Sequence, residues 1–453
     1  MTARLKNIDR QTPLILPPDL RDWVPEDDMV HFVIRAVDKL PADSYRINRR
    51  GTGSEQYPPG MMLALLIYCY ANGIFSSRRI EQATYRDVAV RYLTANTHPD
   101  HSTICAFRTA NKEAIAEAFV HVLELAREMG VLKVGTISVD GTRMDANASK
   151  YKQVSYERAQ QLEEQLRKDI EGLLQKAEEV DAEDEDDGQS LPEHIGRRQK
   201  LFEKMREAQQ KLEEKARRRA EREQEVYQER LETWQKRPKG RKGRKPEPPK
   251  EIPDPDEKVN LTDSDSNLMR KNLHKEYRQS YNGQAAVDAE GSQMVVATEV
   301  SNSSSDAGHL VTSVEQVSET LAKPEAVLAD KGYCKVEDLK KLQAEGVEPY
   351  VSVGAEENYN KKTYEFRPPK RKKRKSQNIT DPVLIDLKEK LESEAGQRMY
   401  AKRKMTVEPV FGIIKHVMGF RQFSLRGLEK VRSEWRLVCL AYNVKRLFRL
   451  AQG

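Results

Sequence analysis

Ile137-Ser138-Val139-Asp140-Gly141-Thr142 is a short apolar run that stops at an acid, and a second unit of the same kind, Ala326-Val327-Leu328-Ala329-Asp330-Lys331-Gly332-Tyr333, lies far downstream. A brief β-branched run bounded by turn-forming residues reads as a buried strand. Residues 133–140 and Ala326–Asp330 are therefore predicted to be strands, each carrying an aspartate at its C-terminal end. Between them, Gly283–Ala289 and Met294–Val300 flank Glu290-Gly291, a hairpin signal, and Asp306–Leu321 reads as a helix with Leu310, Val314 and Val317 on one face. A helix at Val336–Glu345 and a strand at Pro349–Val353 follow. Helices at Pro382–Glu394, around Tyr400–Met418, and at Leu428–Leu450 close the chain.

Leaving out residues 151–258, the order is strand, strand, strand, helix, strand, helix, strand, helix. That order predicts an α/β fold of RNase H-like type, a mixed five-stranded sheet with helices on both faces. In such a sheet the first and fourth strands are neighbours, which would bring Asp140 and Asp330 side by side. The catalytic-type domain would comprise residues 131–150 and 259–453.

An all-α region precedes it at 12–130. Asp27 and Asp28 are placed to cap a helix running to about Leu40. Met61–Tyr70 is apolar enough to be a buried helix, Ser76 and Ser77 open another, and Ser102 a further one. Arg78, Arg79, Arg86, Arg91 and Arg108 on these helices allow a helix-turn-helix DNA reader. Spacing alone favours an ordinary bundle with solvated arginines.

The 453 residues carry a formal charge of +6, and 33% are charged, against about 25% in an average protein. The excess is local, since 54 of the 108 residues from 151 to 258 are charged. In this insert Leu162, Leu166, Ile170, Leu173, Ala177 and Val180 fall at near-heptad spacing. After an acidic break from Asp181 to Gly188, a second seam uses Leu201, Met205, Ala208 and Leu212. The prediction is an antiparallel helical hairpin, followed by a Lys-, Arg- and Pro-rich linker from Arg237 to Pro255. Four scattered cysteines without a CxxC pair give neither a zinc knuckle nor a disulfide framework, and His98 and His101 lack further ligands for zinc. Met1–Arg10 is polar with no apolar run behind it. The longest apolar stretch, Met61–Ala71, is about half the ~20 residues of a membrane span. A cytoplasmic protein is expected.

Alone, a strand-end aspartate is more often a turn former or helix cap than a catalyst. Two on adjacent strands, with Glu408 on a basic helix, form the set of hard oxygen ligands that suits divalent magnesium. Such ions lower the pKa of an attacking water or hydroxyl and stabilise a leaving oxygen in phosphodiester chemistry. Asp145 is a rival ligand.

Asp140-Gly141-Thr142, Asp330-Lys331-Gly332-Tyr333 and the stretch from Tyr400 to Lys415 resemble the three signature blocks of the DDE transposases of bacterial insertion sequences. In the last block Tyr400, Arg403, Glu408 and Lys415 fall in the family's order, with four residues between arginine and glutamate where the pattern usually has three. Lys404 would restore that gap. Tyr57–Arg108, with Ser76-Ser77-Arg78 and Asp100-His101-Ser102-Thr103-Ile104, resembles the family's N-terminal helical domain, and Thr262-Asp263 with Tyr281-Asn282-Gly283-Gln284 resembles the approach to its second strand. The resemblance implies binding to the element's terminal inverted repeats, cutting to free 3′ hydroxyls, and joining these to target DNA. It also implies two Mg2+ ions (Mn2+ substituting) on Asp140, Asp330 and Glu408, and a homodimer or larger assembly on double-stranded DNA. Tyr400, Arg403 and Lys415 would hold phosphates, with Arg143 and Lys331 as further contacts and Arg108 from the helical domain. The run Lys370-Arg371-Lys372-Lys373-Arg374-Lys375 would track a DNA backbone. The other readings are a non-catalytic DNA-binding descendant, a nuclease that cuts without joining, and a coiled-coil interaction protein. The last of these leaves the two aspartates unexplained.

Overall fold

The computed structural model describes residues 19–47, 55–183, 191–236, 244–270, 276–353 and 381–452. The N-terminal region is helical: α1 Met29–Asp38, α2 Pro59–Ala71, α3 Ser77–Arg86, α4 Val88–Leu93, α5 His101–Ala110 and α6 Lys112–Glu128. The side chain of Asp28 caps α1, accepting from the Val30 amide. Helix α5 begins one residue earlier than predicted because Asp100 is the N-cap and its side chain accepts from the amides of Ser102 and Thr103.

Strand β1 spans Thr136–Asp145, β5 Tyr277–Asp288, β6 Val295–Ser301, β7 Ala326–Ala329 and β8 Glu348–Val351, and β2 to β4 are placed below. The sheet runs β6-β5-β1-β7-β8, with β7 parallel to β1 and β8 parallel to β7. Strand β5 is antiparallel to both β1 and β6. The predicted five-stranded order and the adjacency of first and fourth strands both hold. One short addition, β4 (Asn267–Arg270), pairs with the start of β5 on the flank that β6 occupies further along. Strand β1 also runs past its predicted end at Asp140. Its pairing with β7 stops at Ser138↔Leu328, but pairing with β5 continues to Asp145↔Ser280. Helices α9 (His309–Thr320) and α10 (Val336–Ala344) follow β6 and β7, and α11 (Pro382–Glu392), α12 (Glu394–Gly412) and α13 (Leu428–Gln452) end the chain.

Helix α13 is the common core element. Trp435 and the run Leu437–Val444 are buried, and the helix packs against α2, α6 and β6. The N-terminal helices and the sheet consequently share one hydrophobic core. Polar bonds fix the seat: Trp435 Nε1 donates to the Gln284 carbonyl at 2.9 Å, and Asn443 both donates to and accepts from the Val295 backbone.

The charged insert is the predicted hairpin. Helices α7 (Tyr156–Glu183) and α8 (Leu191–Lys236) pack on each other, with Ala159, Leu166, Met205, Ala208 and Leu212 buried between them. Leu201 of the expected seam is exposed, and its neighbour Phe202 packs inward instead; Ile170 and Leu173 are half-buried, and the side chains of Ala177 and Val180 lie outside the described residues. A two-stranded ladder closes the root, β2 (Gln153–Ser155) against β3 (Lys258–Asn260), with Val154 and Val259 in the hairpin core. Of the expected linker, residues 244–255 hold no helix or strand and 237–243 lie outside the described residues; Glu257 beyond it pairs with Arg219 of α8 at 3.1 Å. Among the described residues no helix is long and apolar enough to cross a membrane.

The structure corrects one expected DNA contact. Arg108 is 3% exposed, donates to the Tyr70 hydroxyl at 2.6 Å and the Phe75 carbonyl at 3.3 Å, and lies 3.8 Å from the fully buried carboxylate of Glu434. Glu434 in turn accepts from the amides of Ser424 and Leu425. A guanidinium so enclosed ties the helical region to α13 and cannot reach a phosphate. Breaking a buried pair by removing one partner costs about 3–5 kcal/mol, so Arg108→Ala is expected to lower stability by about that much in urea titration while leaving the salt slope of DNA binding unchanged. A stable Arg108→Ala protein with a flatter salt slope would restore the DNA-contact reading.

Candidate active site

Asp140 lies on β1 two residues past the last one paired to β7, where β1 is still paired to β5, and Asp330 follows β7 directly. Each carboxylate is pinned locally. Asp140 Oδ1 accepts from the Gly141 amide at 2.8 Å. Asp330 Oδ1 accepts from the Gly332 amide at 2.7 Å and caps the 3-10 turn Lys331–Tyr333.

Glu408 comes from α12, which packs against β1 and β5. The next residue, Pro409, neither starts nor ends the helix; it lies inside it. A proline there cannot donate to the carbonyl four residues back. The freed Met405 carbonyl accepts from Gln293 Nε2 at 2.8 Å instead. A π-helical turn, Ile413–Val417, continues α12, a local widening that is frequent at functional sites.

Arg403 links the first and third acids. It is 5% exposed. Its Nη1 stands 3.2 Å from Asp140 Oδ2 and its Nη2 3.6 Å from Glu408 Oε1. Tyr400 stacks its ring against this guanidinium and packs partly buried on the cluster of Ala326, Leu328 and Tyr350. Lys415 donates to the Arg143 carbonyl at 3.1 Å, and Arg143, itself exposed, donates to the Arg270 carbonyl. Lys331 is exposed beside Asp330. The rival ligand Asp145 is taken by Arg278 at 2.9 Å. The run Lys370 to Lys375 lies outside the described residues.

One acid was missed by the sequence reading except as a helix start. Asp306 Oδ1 accepts from Asn282 Nδ2 at 2.7 Å and Gln284 Nε2 at 2.8 Å. The available signal was Asn282 and Gln284 themselves, two polar residues within a strand whose interior is buried on both faces. Buried amides need partners, and these find Asp306.

The site carries surplus negative charge. Burial pushes the Asp140 carboxyl up to about 7; Arg403 and the Gly141 amide oppose this, and the Asp330 and Asp306 charges reinforce it. Burial likewise raises the Tyr333 hydroxyl, helped by Asp306, Asp140 and Asp330. An anion crowded in this way is short of a cation, and its carboxylate oxygens are donors of the kind that hard divalent ions take. The donor chemistry fits. Among the described residues, however, no three acids, histidines or cysteines converge closely enough to hold a metal ion, and Arg403 stands against both Asp140 and Glu408.

A mixed sheet in this order, with one acid on β1, one directly after the parallel strand β7 and a third on a flanking helix, is the arrangement expected of an RNase H-like fold. Residues 254–444 match the transposase DDE domain, and residues 18–110 match a transposase domain, DUF772. The chain belongs to the DDE transposases of insertion-sequence type. Members of this family bind DNA and generally use divalent metals. Asp330 and Glu408 fall within the matched DDE segment, whereas Asp140 lies before it, beyond the insert; strand pairing alone joins it to them. No curated protein and no solved structure matches the chain significantly.

Two outcomes are expected. A Cβ added at Gly141 would lie 2.5 Å from Gln284 Nε2 and 2.6 Å from Asp306 Oδ1, so Gly141→Ala should cost about 1–3 kcal/mol by denaturant titration. In EDTA, wild type should lose stability relative to Asp140→Asn as pH rises from the ordinary carboxylate range to about 7. Over that window the unfolded chain releases the proton that folded Asp140 retains. A difference between the two proteins that stays flat across this range would show that Asp140 is not held protonated.

Proposed function

We propose that this protein binds the terminal inverted repeats of its own element, cleaves at the ends and joins the freed 3′ hydroxyls to target DNA. The observation that carries this reading is the juxtaposition of Asp140 and Asp330 on paired parallel strands, with Glu408 bound to the same Arg403 as Asp140. Asp140, Asp330 and Glu408 hold Mg2+, for which Mn2+ substitutes. The ions, when bound, activate the nucleophile and stabilise the leaving 3′ oxygen.

The chain's own residues do the rest. Burial of Asp140 strengthens its pull on a cation, since charges interact more strongly away from water. Arg403 balances Asp140 and Glu408 and orients both. Lys331, Arg143, Lys415 and Tyr400 border the acids and hold DNA phosphates, and the run Lys370–Lys375 follows the backbone. Residues 12–130 form the end-binding part, 131–150 with 259–453 the catalytic part, and 151–258 an insert. The protein works in the cytoplasm as a homodimer or larger assembly, because two element ends must be cut and joined together.

The decisive experiment is strand cleavage and joining on DNA carrying the element's own ends, for wild type and Asp330→Ala, each with magnesium and with EDTA. Nicked and joined products from wild type with magnesium alone are expected. Cleavage without joining would make the protein a nuclease, and binding without cleavage a non-catalytic descendant. Asp140→Ala and Glu408→Ala should likewise abolish cutting and keep end binding; magnesium-dependent cutting by Asp330→Ala would remove the site assignment. Lys415→Ala should flatten the salt dependence of binding by about one phosphate contact.

A further inference from the structure

We propose that Asp306 is a positioning residue of this active site: through the side-chain amides of Asn282 and Gln284 it fixes the spacing of Asp140 and Asp330. The proposal rests on the transposase reading above. Asn282 and Gln284 lie on β5 directly opposite Arg143 and Gly141 of β1 and are 3% and 1% exposed. A single oxygen of Asp306 accepts from both amides. Gln284 passes the constraint on, since its Oε1 accepts from the hydroxyl of Tyr333, three residues beyond Asp330. A continuous bonded path therefore runs from the strand beside Asp140 to the turn after Asp330, and Asp306 anchors it.

Sterics support the same role. The position a Cβ would take at Gly141 is 2.6 Å from Asp306 Oδ1, and the one at Gly332 is 3.1 Å from Asp306 Oδ2. One carboxylate thus fills the space left by the two glycines nearest the two aspartates. Asp306 is itself held from behind by α9, which starts three residues later and buries Leu310, Val314 and Val317 in the core.

An acid here could act by its hydrogen bonds or by its charge, and two substitutions separate these. Asp306→Asn keeps an oxygen able to accept from both amides and loses the charge. Asp306→Ala loses both. Removing a hydrogen-bonding support behind a metal ligand costs about 10- to 100-fold. Asp306→Ala is expected to lose that much cleavage and to need correspondingly more Mg2+ for half-maximal rate. Its Mn2+ binding, followed by electron paramagnetic resonance on the full chain, should weaken in parallel. Asp306→Asn should stay within a few-fold of wild type in all three readouts. Gln284→Met, which cuts the path to Tyr333 and leaves Asp306 in place, should resemble Asp306→Ala, and it carries the test if Asp306→Ala does not fold. Asp306→Asn as impaired as Asp306→Ala would overturn the proposal in favour of a charge or ligand role. Asp306→Ala or Gln284→Met as active as wild type, with unchanged Mn2+ binding, would overturn it outright while leaving the transposase reading intact. A wild type that neither binds Mn2+ nor cleaves would remove the reading and the proposal together.

Discussion

The two-sided pairing of β1 is the constraint from which the site follows. Parallel strands cannot be joined by a tight turn and need a long crossover, so β1 and β7 meet only after β5, β6 and α9 have been laid down between them. Because β7 is short, its ladder with β1 ends at Ser138↔Leu328, and the backbone of Asp140 emerges just beyond that end. Antiparallel pairing with β5 carries β1 onward and places Asn282 and Gln284 across from the residues after Asp140. The positions of the acids and of the amides beside them thus come from one register. A slip of one residue would turn each of these side chains to the opposite face.

Bringing acids together in a buried site creates an electrostatic problem, and Arg403 is the chain's internal answer to it. A guanidinium is always charged and presents donors in a fork, so one side chain reaches Asp140 and Glu408 together. Burial keeps the Asp140 carboxyl raised despite Arg403, and the nearby charges of Asp330 and Asp306 add to the rise. The remaining imbalance is a standing attraction for cations. The arginine and an added metal ion would compete for the oxygens of Asp140 and Glu408.

Much of this was legible in the sequence, because strand periodicity and order survive without tertiary information. The apolar runs ending at Asp140 and Asp330 marked two adjacent strands, and the near-heptad spacing marked the hairpin. What the sequence could not show was direction. Arg108 looked like a displayed cation because a helix pattern does not say which face meets a buried carboxylate; Glu434, its partner, sits in a distant helix. Arg403 was expected at a phosphate by resemblance to the family, and a resemblance of motif spacing does not show that its guanidinium is buried against Asp140 and Glu408. The swap of Phe202 for Leu201 reflects a helix rotated by one residue, a distinction that averaged spacing does not resolve. Asp306 stayed hidden because its partners are amides on another strand, and only pairing brings them to it.

The insert shows how a large addition can leave this geometry undisturbed. It enters after β1 and returns before β4, and the β2–β3 ladder clamps its two ends together at the root. Closing a loop costs free energy that grows only slowly with its length, so once the root is tied, further length adds little strain to the sheet. The hairpin meets its own needs with a separate apolar core. Helix α8, about 69 Å long against about 42 Å for α7, extends past the stretch they share. The charged surface keeps such a projection soluble without calling on the core of the sheet. Asp140 and Asp330 are therefore held by strand pairing on one side of the root, and whatever the hairpin contacts is held on the other. Among the described residues the ladder and a hydrogen bond from Lys215 of α8 to the Ser264 carbonyl connect the two.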